Sequence, residues 1–99
     1  MTRSRILVTA DSKPYLPRHV RVQFDATRQR SAVLAPERIY WPDETAVEVL
    51  KLCDGSRTIS GIAAHLANEY AAPVETIQAD VLEFVQSWTD LLLLKQTES

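Results

Sequence analysis

The sequence predicts an α+β domain with a winged-helix-like architecture, in which a three-stranded antiparallel β-meander is followed by a three-helix bundle. Before residue 42, apolar residues alternate with polar ones in short stretches separated by prolines and turn residues. After residue 42, apolar residues recur at the three- and four-residue spacing of amphipathic helices. The length of 99 residues allows one domain with a modest core.

The sheet is predicted from three short stretches. In "HVRVQFD", Val20, Val22 and Phe24 alternate with polar residues, which is typical of a half-buried strand. "SAVLA" follows the turn residues "DATRQR" and forms the second strand, which Pro36 interrupts. "ERIYW" is rich in β-branched and aromatic residues and forms the third strand, which ends at Pro42.

The helices are predicted from end signals and apolar periodicity. The first begins in "PDET", whose acidic residues favour a helix N-terminus, and stops at Gly55. Thr58 is the predicted N-cap of the second helix, and "AAPVE" starts the third. The predicted apolar stripes comprise Val47, Leu50 and either Val49 or Cys53 in the first helix; Ile59, Ile62, Ala63, Leu66 and Tyr70 in the second; and Ile77, Val81, Phe84 and Trp88, widened by Val85 and Leu92, in the third.

The termini differ in pattern from the rest of the chain. Residues 1–13 lack periodicity and predict a flexible N-terminal arm, residues 14–94 the folded domain, and residues 95–99 a C-terminal tail. No apolar run approaches the roughly 18 residues of a membrane span, and "ILV" near the N-terminus is too short for the apolar core of a signal peptide. We therefore expect a cytoplasmic protein without a membrane partner.

The stretch "LCDGSRTISGIAAHLANEY" has the pattern of a helix-turn-helix, a motif that often binds DNA. Residues 1–30 contain seven basic and two acidic side chains, whereas residues 31–99 contain four basic and eleven acidic ones. The third predicted helix has four carboxylates and no lysine or arginine over residues 74–92. Because phosphate binding requires cations, we expect no nucleic-acid partner, and only the basic strands would support that alternative.

The sequence offers no constellation of catalytic groups. Cys53 is the single cysteine and falls on an apolar helix face, while His19 and His65 are far apart with no metal-ligand spacing. No glycine-rich phosphate-binding motif occurs. We therefore predict no catalytic residue, no metal ligand and no cofactor.

The third predicted strand lies at a sheet edge, where an extended peptide could add as a further strand. Each backbone hydrogen bond contributes ~1 kcal/mol net, whereas a micromolar complex requires about 8 kcal/mol. The peptide would therefore also have to bury apolar side chains between the third strand and the third helix. The predicted peptide-binding residues are Arg38, Tyr40 and Trp41 on the strand, with Val81, Phe84, Val85 and Trp88 on the helix opposite. The alternative is that Ile39 and the strand aromatics only cover the core.

Four motifs occur in the order found in a known family. They are "LAPER" over residues 34–38, "CDG" over 53–55, the T-I-x-x-I pattern that begins the second helix, and "DVLEF" over 80–84. With them, residues 14 to about 94 resemble the PqqD family of pyrroloquinoline quinone (PQQ) biosynthesis. That family often has a glycine near the end of the third helix, where this chain has Asp90 before "LLLL".

The resemblance implies a peptide chaperone of the kind called a RiPP precursor recognition element. Such a protein binds the precursor peptide PqqA and presents it to the radical-SAM enzyme PqqE, with no metal of its own. In related elements the peptide pairs with the third strand and packs on the third helix. The resemblance therefore implies a peptide-binding site made of Arg38, Ile39, Tyr40 and Trp41 with Val81, Phe84, Val85 and Trp88 opposite. A quinone-binding small-molecule carrier is the alternative. We expect a monomer or a weak, domain-swapped dimer, because "PDET" and "AAPVE" could act as hinges.

Overall fold

The computed structural model describes residues 6–97 and has the predicted α+β architecture, with an antiparallel meander followed by three helices. In chain order the elements are β1 (Pro14–Tyr15), β2 (Arg21–Asp25), β3 (Arg30–Ala35), β4 (Arg38–Tyr40), α1 (Glu44–Leu52), α2 (Ile59–Tyr70), α3 (Val74–Asp90) and β5 (Lys95–Gln96). The meander has the strand order β2-β3-β4, and a separate two-stranded sheet joins β1 to β5.

Two tight turns set the register of the meander. Between β2 and β3, a side-chain oxygen of Asp25 accepts hydrogen bonds from the backbone N–H groups of Thr27 and Arg28 at 2.9 and 3.1 Å. These bonds, together with the guanidinium of Arg28, hold the pKa of Asp25 below its usual range. Between β3 and β4, Pro36 and Glu37 form a two-residue turn in which Glu37 has a φ of 63°.

The inner face of the meander covers the core through Val22, Val33 and Tyr40, which are aligned across the three strands. The prediction that Phe24 joins this buried face is wrong, because its side chain is 58% exposed. Phe24 lies next to the β2–β3 turn, at the rim of an open concavity that it shares with Val47 of α1. The burial that the alternation predicts therefore ends before the tip of the hairpin.

Local capping explains where the helices begin. The carboxylate of Asp43 accepts a hydrogen bond from the N–H of Ala46 at 2.8 Å, and the hydroxyl of Thr58 accepts one from Gly61 at 2.9 Å. The core between sheet and helices contains Val33, Leu50, Ile59, Ile62, Val85 and Leu94, all almost completely buried. Within residues 6–97, no helix combines the length and the apolar character needed to cross a bilayer.

Two predicted core positions are exposed instead. Tyr70 is 48% exposed at the end of α2, where its hydroxyl donates a hydrogen bond to Glu48 of α1. Leu92 is 64% exposed because α3 has already ended and the chain turns with a φ of 64° at this residue. That turn directs Leu93 and Leu94 into the core in its place.

The segment over residues 6–13 lies against the domain, in contrast to the predicted flexible arm over 1–13. The carbonyls of Ala10 and Ser12 accept hydrogen bonds from the first two N–H groups of α2, those of Ser60 and Ile59, at 3.0 and 2.9 Å. Helix N-termini leave such donors unpaired, so the segment acts as a backbone cap. Residues 1–5 of the predicted arm lie outside the described residues.

The predicted tail over residues 95–99 also begins inside the folded structure. Lys95 and Gln96 form β5, which pairs antiparallel with β1, and the N–H of Thr97 donates to the carbonyl of Lys13 at 2.8 Å. The "CDG" turn holds this small sheet, because the N–H of Gly55 donates to the carbonyl of Pro14 at 2.9 Å. Residues 98–99 lie outside the described part of the chain.

Candidate functional site

An aromatic cluster connects the meander to α3. The ring centroid of Trp88 lies 5.9 Å from that of Tyr40 and 5.1 Å from that of Phe84, and all three side chains are only partly buried. Tyr40 reaches the cluster because it occupies the inner face of β4, opposite Val33. Phe84 and Trp88 lie four residues apart on α3 and therefore share one side of that helix. The sequence predicted all three residues as part of the site.

A cavity of about 400 Å³ adjoins this cluster between the three helices. Its walls are mainly apolar, with the carboxylates of Asp43 and Asp80 among its lining groups. The apolar and aromatic lining residues are Val49 of α1, Leu66 and Tyr70 of α2, and Ile77, Val81, Phe84 and Trp88 of α3. Its volume is within the range of small-ligand and side-chain pockets.

The two predicted valines of α3 differ in their access to this cavity. Val81 is 3% exposed and contributes to the cavity wall. Val85 is completely buried in the core, so its side chain supports the helix from within. Direct contact between Val85 and a surface ligand, as expected from the sequence, does not agree with this burial.

The structure separates the four site residues that were predicted on the third strand of the meander, which is β4. Successive strand residues point to opposite faces, so Tyr40 faces α3 while Ile39 and Trp41 lie on the other side of the sheet. Ile39 is 60% exposed, and Trp41 follows the end of β4. Arg38 lies next to the β3–β4 turn, beside His19 and the residues that follow α3. The site on the α3 side therefore contains Tyr40 but neither Ile39 nor Trp41.

β4 presents an unpaired backbone edge beside the aromatic cluster. A two-residue turn makes Ala35 and Arg38 the first hydrogen-bonded pair of the hairpin, and the next such pair is Val33 and Tyr40. The N–H and C=O of Ile39 therefore point away from β3. In the part of the chain that the structure describes, no strand pairs with that edge.

Charge is unevenly distributed around this edge. The exposed side chains of α3 include the carboxylates of Glu75, Asp80 and Glu83, with no cation on that helix. On the opposite side of the sheet, the guanidinium carbons of Arg28 and Arg30 lie 5.2 and 5.4 Å from the ring centroid of Trp41. A phosphate backbone would meet repulsion along α3, the helix that follows the helix-turn-helix pattern.

The single thiol and the acidic groups do not form a reactive centre. Cys53 is buried, which raises the pKa of its thiol to about 12, and its Sγ donates to the carbonyl of Val49 at 3.2 Å. Over residues 6–97, no three histidine, cysteine or acidic side chains are grouped so that they could hold a metal ion. The open edge of β4 and the apolar lining of the cavity suit the site to backbone pairing and apolar contacts.

The part of the site contributed by α1 and α2 was not predicted. Leu66 and Tyr70 of α2, like Ile77 of α3, were predicted only as core positions, yet all three line the cavity. The spacing of Ile77, Val81, Phe84 and Trp88 did place one continuous stripe on α3. The packing of α1 and α2 around that stripe depends on tertiary contacts, which periodicity alone does not give.

The fold and the site define a small winged-helix-like α+β domain with an open strand edge beside an apolar helix groove, an arrangement suited to recognising extended peptides. A family model described as coenzyme PQQ synthesis protein D (PqqD) matches residues 30–94. The chain belongs to the PqqD family.

Relatives and solved structures agree with this assignment. A protein of Rhodopseudomonas palustris (strain TIE-1), named PqqA binding protein, is 49% identical over 90 residues, which cover 91% of this chain and 88% of the relative. The solution structure of the PqqD truncation of Methylobacterium extorquens PqqCD, described as a functional and stand-alone RiPP recognition element, is 40% identical with a TM-score of 0.78 and covers 89% of this chain and 94% of that one. PqqD from Xanthomonas campestris is 35% identical with a TM-score of 0.57, covering 89% and 98%.

Proposed function

We propose that this protein is a peptide chaperone of PQQ biosynthesis that binds the precursor peptide PqqA and presents it to the radical-SAM enzyme PqqE. The observation that supports this most directly is the open backbone edge of β4 beside Tyr40, Phe84 and Trp88. The names of the R. palustris relative and the M. extorquens structure support the same class of ligand. No catalytic step is assigned to this chain.

The peptide adds to β4 as an extended strand, and the free energy is divided between backbone and side chains. The N–H and C=O of Ile39 offer two hydrogen bonds, together ~2 kcal/mol. Burying one large apolar side chain contributes about 1.5–3 kcal/mol, so two or three such side chains in the groove and cavity bring the total to micromolar affinity. The ordering of a flexible peptide opposes this gain.

The proposed contacts follow the two faces of the strand. Arg38, Ile39, Tyr40 and Trp41 contribute the strand side of the peptide-binding site. Phe84 and Trp88, with Val81 in the cavity wall, receive the apolar side chains that point toward α3. The carboxylates of α3 favour a peptide with a basic segment near its bound part.

β4 has only three residues, so it pairs with a short part of the peptide. The remainder of a bound peptide extends beyond the sheet edge, where an enzyme can reach it. This arrangement supports presentation: the chaperone fixes one segment of PqqA while PqqE acts on another.

The decisive test is to titrate the isotopically labelled protein with synthetic PqqA and follow the backbone amide resonances. We expect saturable shifts confined to β4 and to the face of α3 with Phe84 and Trp88. An absence of shifts at millimolar peptide, or shifts confined to the β1–β5 sheet, would overturn the proposed function.

A matched pair of variants separates backbone from side-chain binding. Ile39→Ala and Ile39→Pro both remove the isoleucine side chain, but only Ile39→Pro removes the outward N–H, at an edge position where proline is tolerated. We expect PqqA to bind Ile39→Pro about 10-fold more weakly than Ile39→Ala, because a peptide carbonyl is left unpaired. Equal affinities would exclude strand addition at this residue.

The helix side of the groove is tested separately with Trp88→Ala. This change removes the ring that contacts Tyr40 and Phe84, and we expect at least a 10-fold loss of PqqA affinity. Trp88→Phe retains an aromatic surface and is expected to lose less. Unchanged affinity in a folded Trp88→Ala variant would contradict the proposed groove.

The cavity supports a second candidate, a carrier that binds the quinone itself. Its 400 Å³ volume and apolar walls fit a small planar molecule next to the Trp88 ring. Titration with free PQQ, followed by tryptophan fluorescence, tests this alternative. Saturable quenching at low quinone concentration, lost in Trp88→Phe and competed by PqqA, would favour the carrier.

A further inference from the structure

The outer face of the meander lies on the side of the sheet opposite the aromatic cluster, and only its residues Ile39 and Trp41 are assigned to peptide binding. We define the outer sheet face by Ala32 and Leu34 of β3, Ile39 of β4, and Trp41, which lies beyond the end of β4. These residues line a shallow concavity of about 620 Å³, and neither Ile39 nor Trp41 is covered by another element. An exposed apolar surface of this kind marks an interaction site in many soluble proteins.

Arginines border this apolar centre. Arg28 and Arg30 stack on the ring of Trp41, and Nη2 of Arg30 donates to the carbonyl of Trp41 at 2.9 Å. Arg21, opposite Leu34 in the register, is exposed on the same face. The carboxylate of Asp25 pairs with Arg28 at 2.9 Å, but among residues 6–97 no carboxylate lies within ion-pair distance of Arg21 or Arg30. The outer sheet face is therefore basic, whereas α3 is acidic.

We propose that the outer sheet face docks an acidic surface of the enzyme that receives the peptide, with an apolar side chain of that enzyme seated over Leu34 and Ile39. This inference rests on the proposed function, since it assigns the partner surface for presentation. Charge complementarity selects the occupant: unpaired guanidinium groups around an apolar centre match carboxylates around an apolar side chain.

The geometry allows both partners to bind at once. A strand added to β4 continues the sheet, so every second side chain of the peptide would join the outer sheet face beside Ile39. The other side chains would point toward Trp88 and α3. An enzyme docked on the outer sheet face would thus contact the peptide directly while the chaperone still holds its opposite side.

A single-stranded nucleic acid is a poorer match for this surface. Base stacking requires exposed aromatic faces. The concavity has two aromatic side chains, Phe24 and Trp41, and two guanidinium groups already stack on the ring of Trp41. The centre of the concavity is aliphatic, and one of the three arginines is paired with Asp25. An aliphatic centre can bury an apolar side chain of a protein, whereas a phosphate backbone gains nothing from it.

The test measures PqqE binding and PqqA binding separately for the full chain and three variants. Arg21→Glu reverses a charge two strands away from the peptide edge, and Leu34→Ser removes the apolar centre on the middle strand. Lys95→Glu makes the same charge change on β5 and serves as the matched control. The probes are purified PqqE, synthetic PqqA and a single-stranded oligonucleotide.

We expect Arg21→Glu and Leu34→Ser to weaken PqqE binding about 10-fold, with PqqA affinity within twofold of that of the unaltered chain. The effect of Arg21→Glu should shrink as salt is raised, and Lys95→Glu should leave both affinities unchanged. PqqE affinity equal in all variants would overturn the proposed docking surface and leave the peptide-binding function intact.

Two other results are also decisive. If PqqE does not bind the unaltered chain while PqqA does, both the docking surface and the presentation step are wrong, and peptide binding stands. If the oligonucleotide binds and Arg21→Glu abolishes that binding, the outer sheet face is a nucleic-acid surface and the proposal is overturned.

Discussion

The side-chain oxygen of Gln86 on α3 accepts a hydrogen bond from the backbone N–H of Val8 at 2.8 Å. The amide nitrogen of the same side chain donates to the carbonyl of Ile6 at 2.9 Å and to the carboxylate of Asp90 at 3.0 Å. One glutamine thus attaches the N-terminal segment to the helix that contains Phe84 and Trp88. The segment is part of the support of the groove, although it lies far from it in sequence.

Shortening the side chain of Val8 should therefore destabilise the domain. Val8 is 7% exposed, and Val8→Ala removes two buried methyl groups, so we expect a loss of about 1.5 kcal/mol in the free energy of unfolding. Leu7→Ala is the control, because Leu7 is 69% exposed and its truncation should change stability by less than about 0.5 kcal/mol. Urea denaturation measures both, and equal stabilities would show that the segment does not contribute to the core.

Replacing Gly55 should loosen the junction of β1, β5 and the "CDG" turn. Gly55 has a φ of 84°, and a Cβ there would lie 3.1 Å from Oγ1 of Thr97. We expect Gly55→Ala to cost about 1–2 kcal/mol of stability. Gly55→Asn introduces the same Cβ but tolerates a positive φ better, so its smaller loss would isolate backbone strain. If Gly55→Ala is as stable as the unaltered protein, the turn is not strained by a side chain.

The thiol of Cys53 should be unreactive in the folded protein. Its burial raises the pKa to about 12, so almost no thiolate is present at neutral or mildly alkaline pH. We expect alkylation by iodoacetamide to be slow in the native state and fast in denaturant, as followed by mass spectrometry. Rapid labelling of the native protein would mean that the end of α1 opens readily.

The hydrogen bond between Tyr70 and Glu48 should be visible at alkaline pH. It is the main cause that raises the pKa of the Tyr70 phenol from 10.0 to about 12. A raised pKa in the folded state means that the fold favours the neutral phenol. The contribution of this hydrogen bond to the stability of the fold is therefore complete below pH 10 and is lost as the pH rises toward 12. In a phenolate absorbance titration, Tyr70→Phe should lack the highest of the tyrosine steps. Persistence of that step in Tyr70→Phe would contradict its assignment to Tyr70.

Most of the fold could be predicted from local signals in the sequence. Alternation predicted the meander, the acidic residues of "PDET" indicated the start of α1, and Thr58 as the predicted N-cap gave the start of α2. The packing of residues 6–13 against the domain and the pairing of β1 with β5 could not be predicted, because they depend on contacts between segments far apart in the chain. Phe24 and Tyr70 have apolar periodicity, but they lie at the ends of elements, where the core no longer covers them.

The candidate site was predicted less completely than the fold. The spacing of Phe84 and Trp88 placed both on one face of α3, and the structure brings Tyr40 to that face. The prediction of one continuous strand surface did not consider that neighbouring residues of β4 point in opposite directions. For this reason Ile39 and Trp41 border a different surface, whose arginines come from β2, from β3 and from the turn between them.

Gln86 of α3 holds the N-terminal segment at Ile6 and Val8, and β1 pairs with the C-terminal residue Gln96. Both ends of the described chain therefore lie outside β4, and a chain joined at either end would not interrupt that strand. The domain is thus suited to covalent fusion, and the M. extorquens structure is a truncation of a longer PqqCD protein. In such a fusion a flexible linker raises the effective concentration of one partner near the other to the millimolar range. Tethering could then replace part of the affinity that two separate proteins need in order to meet.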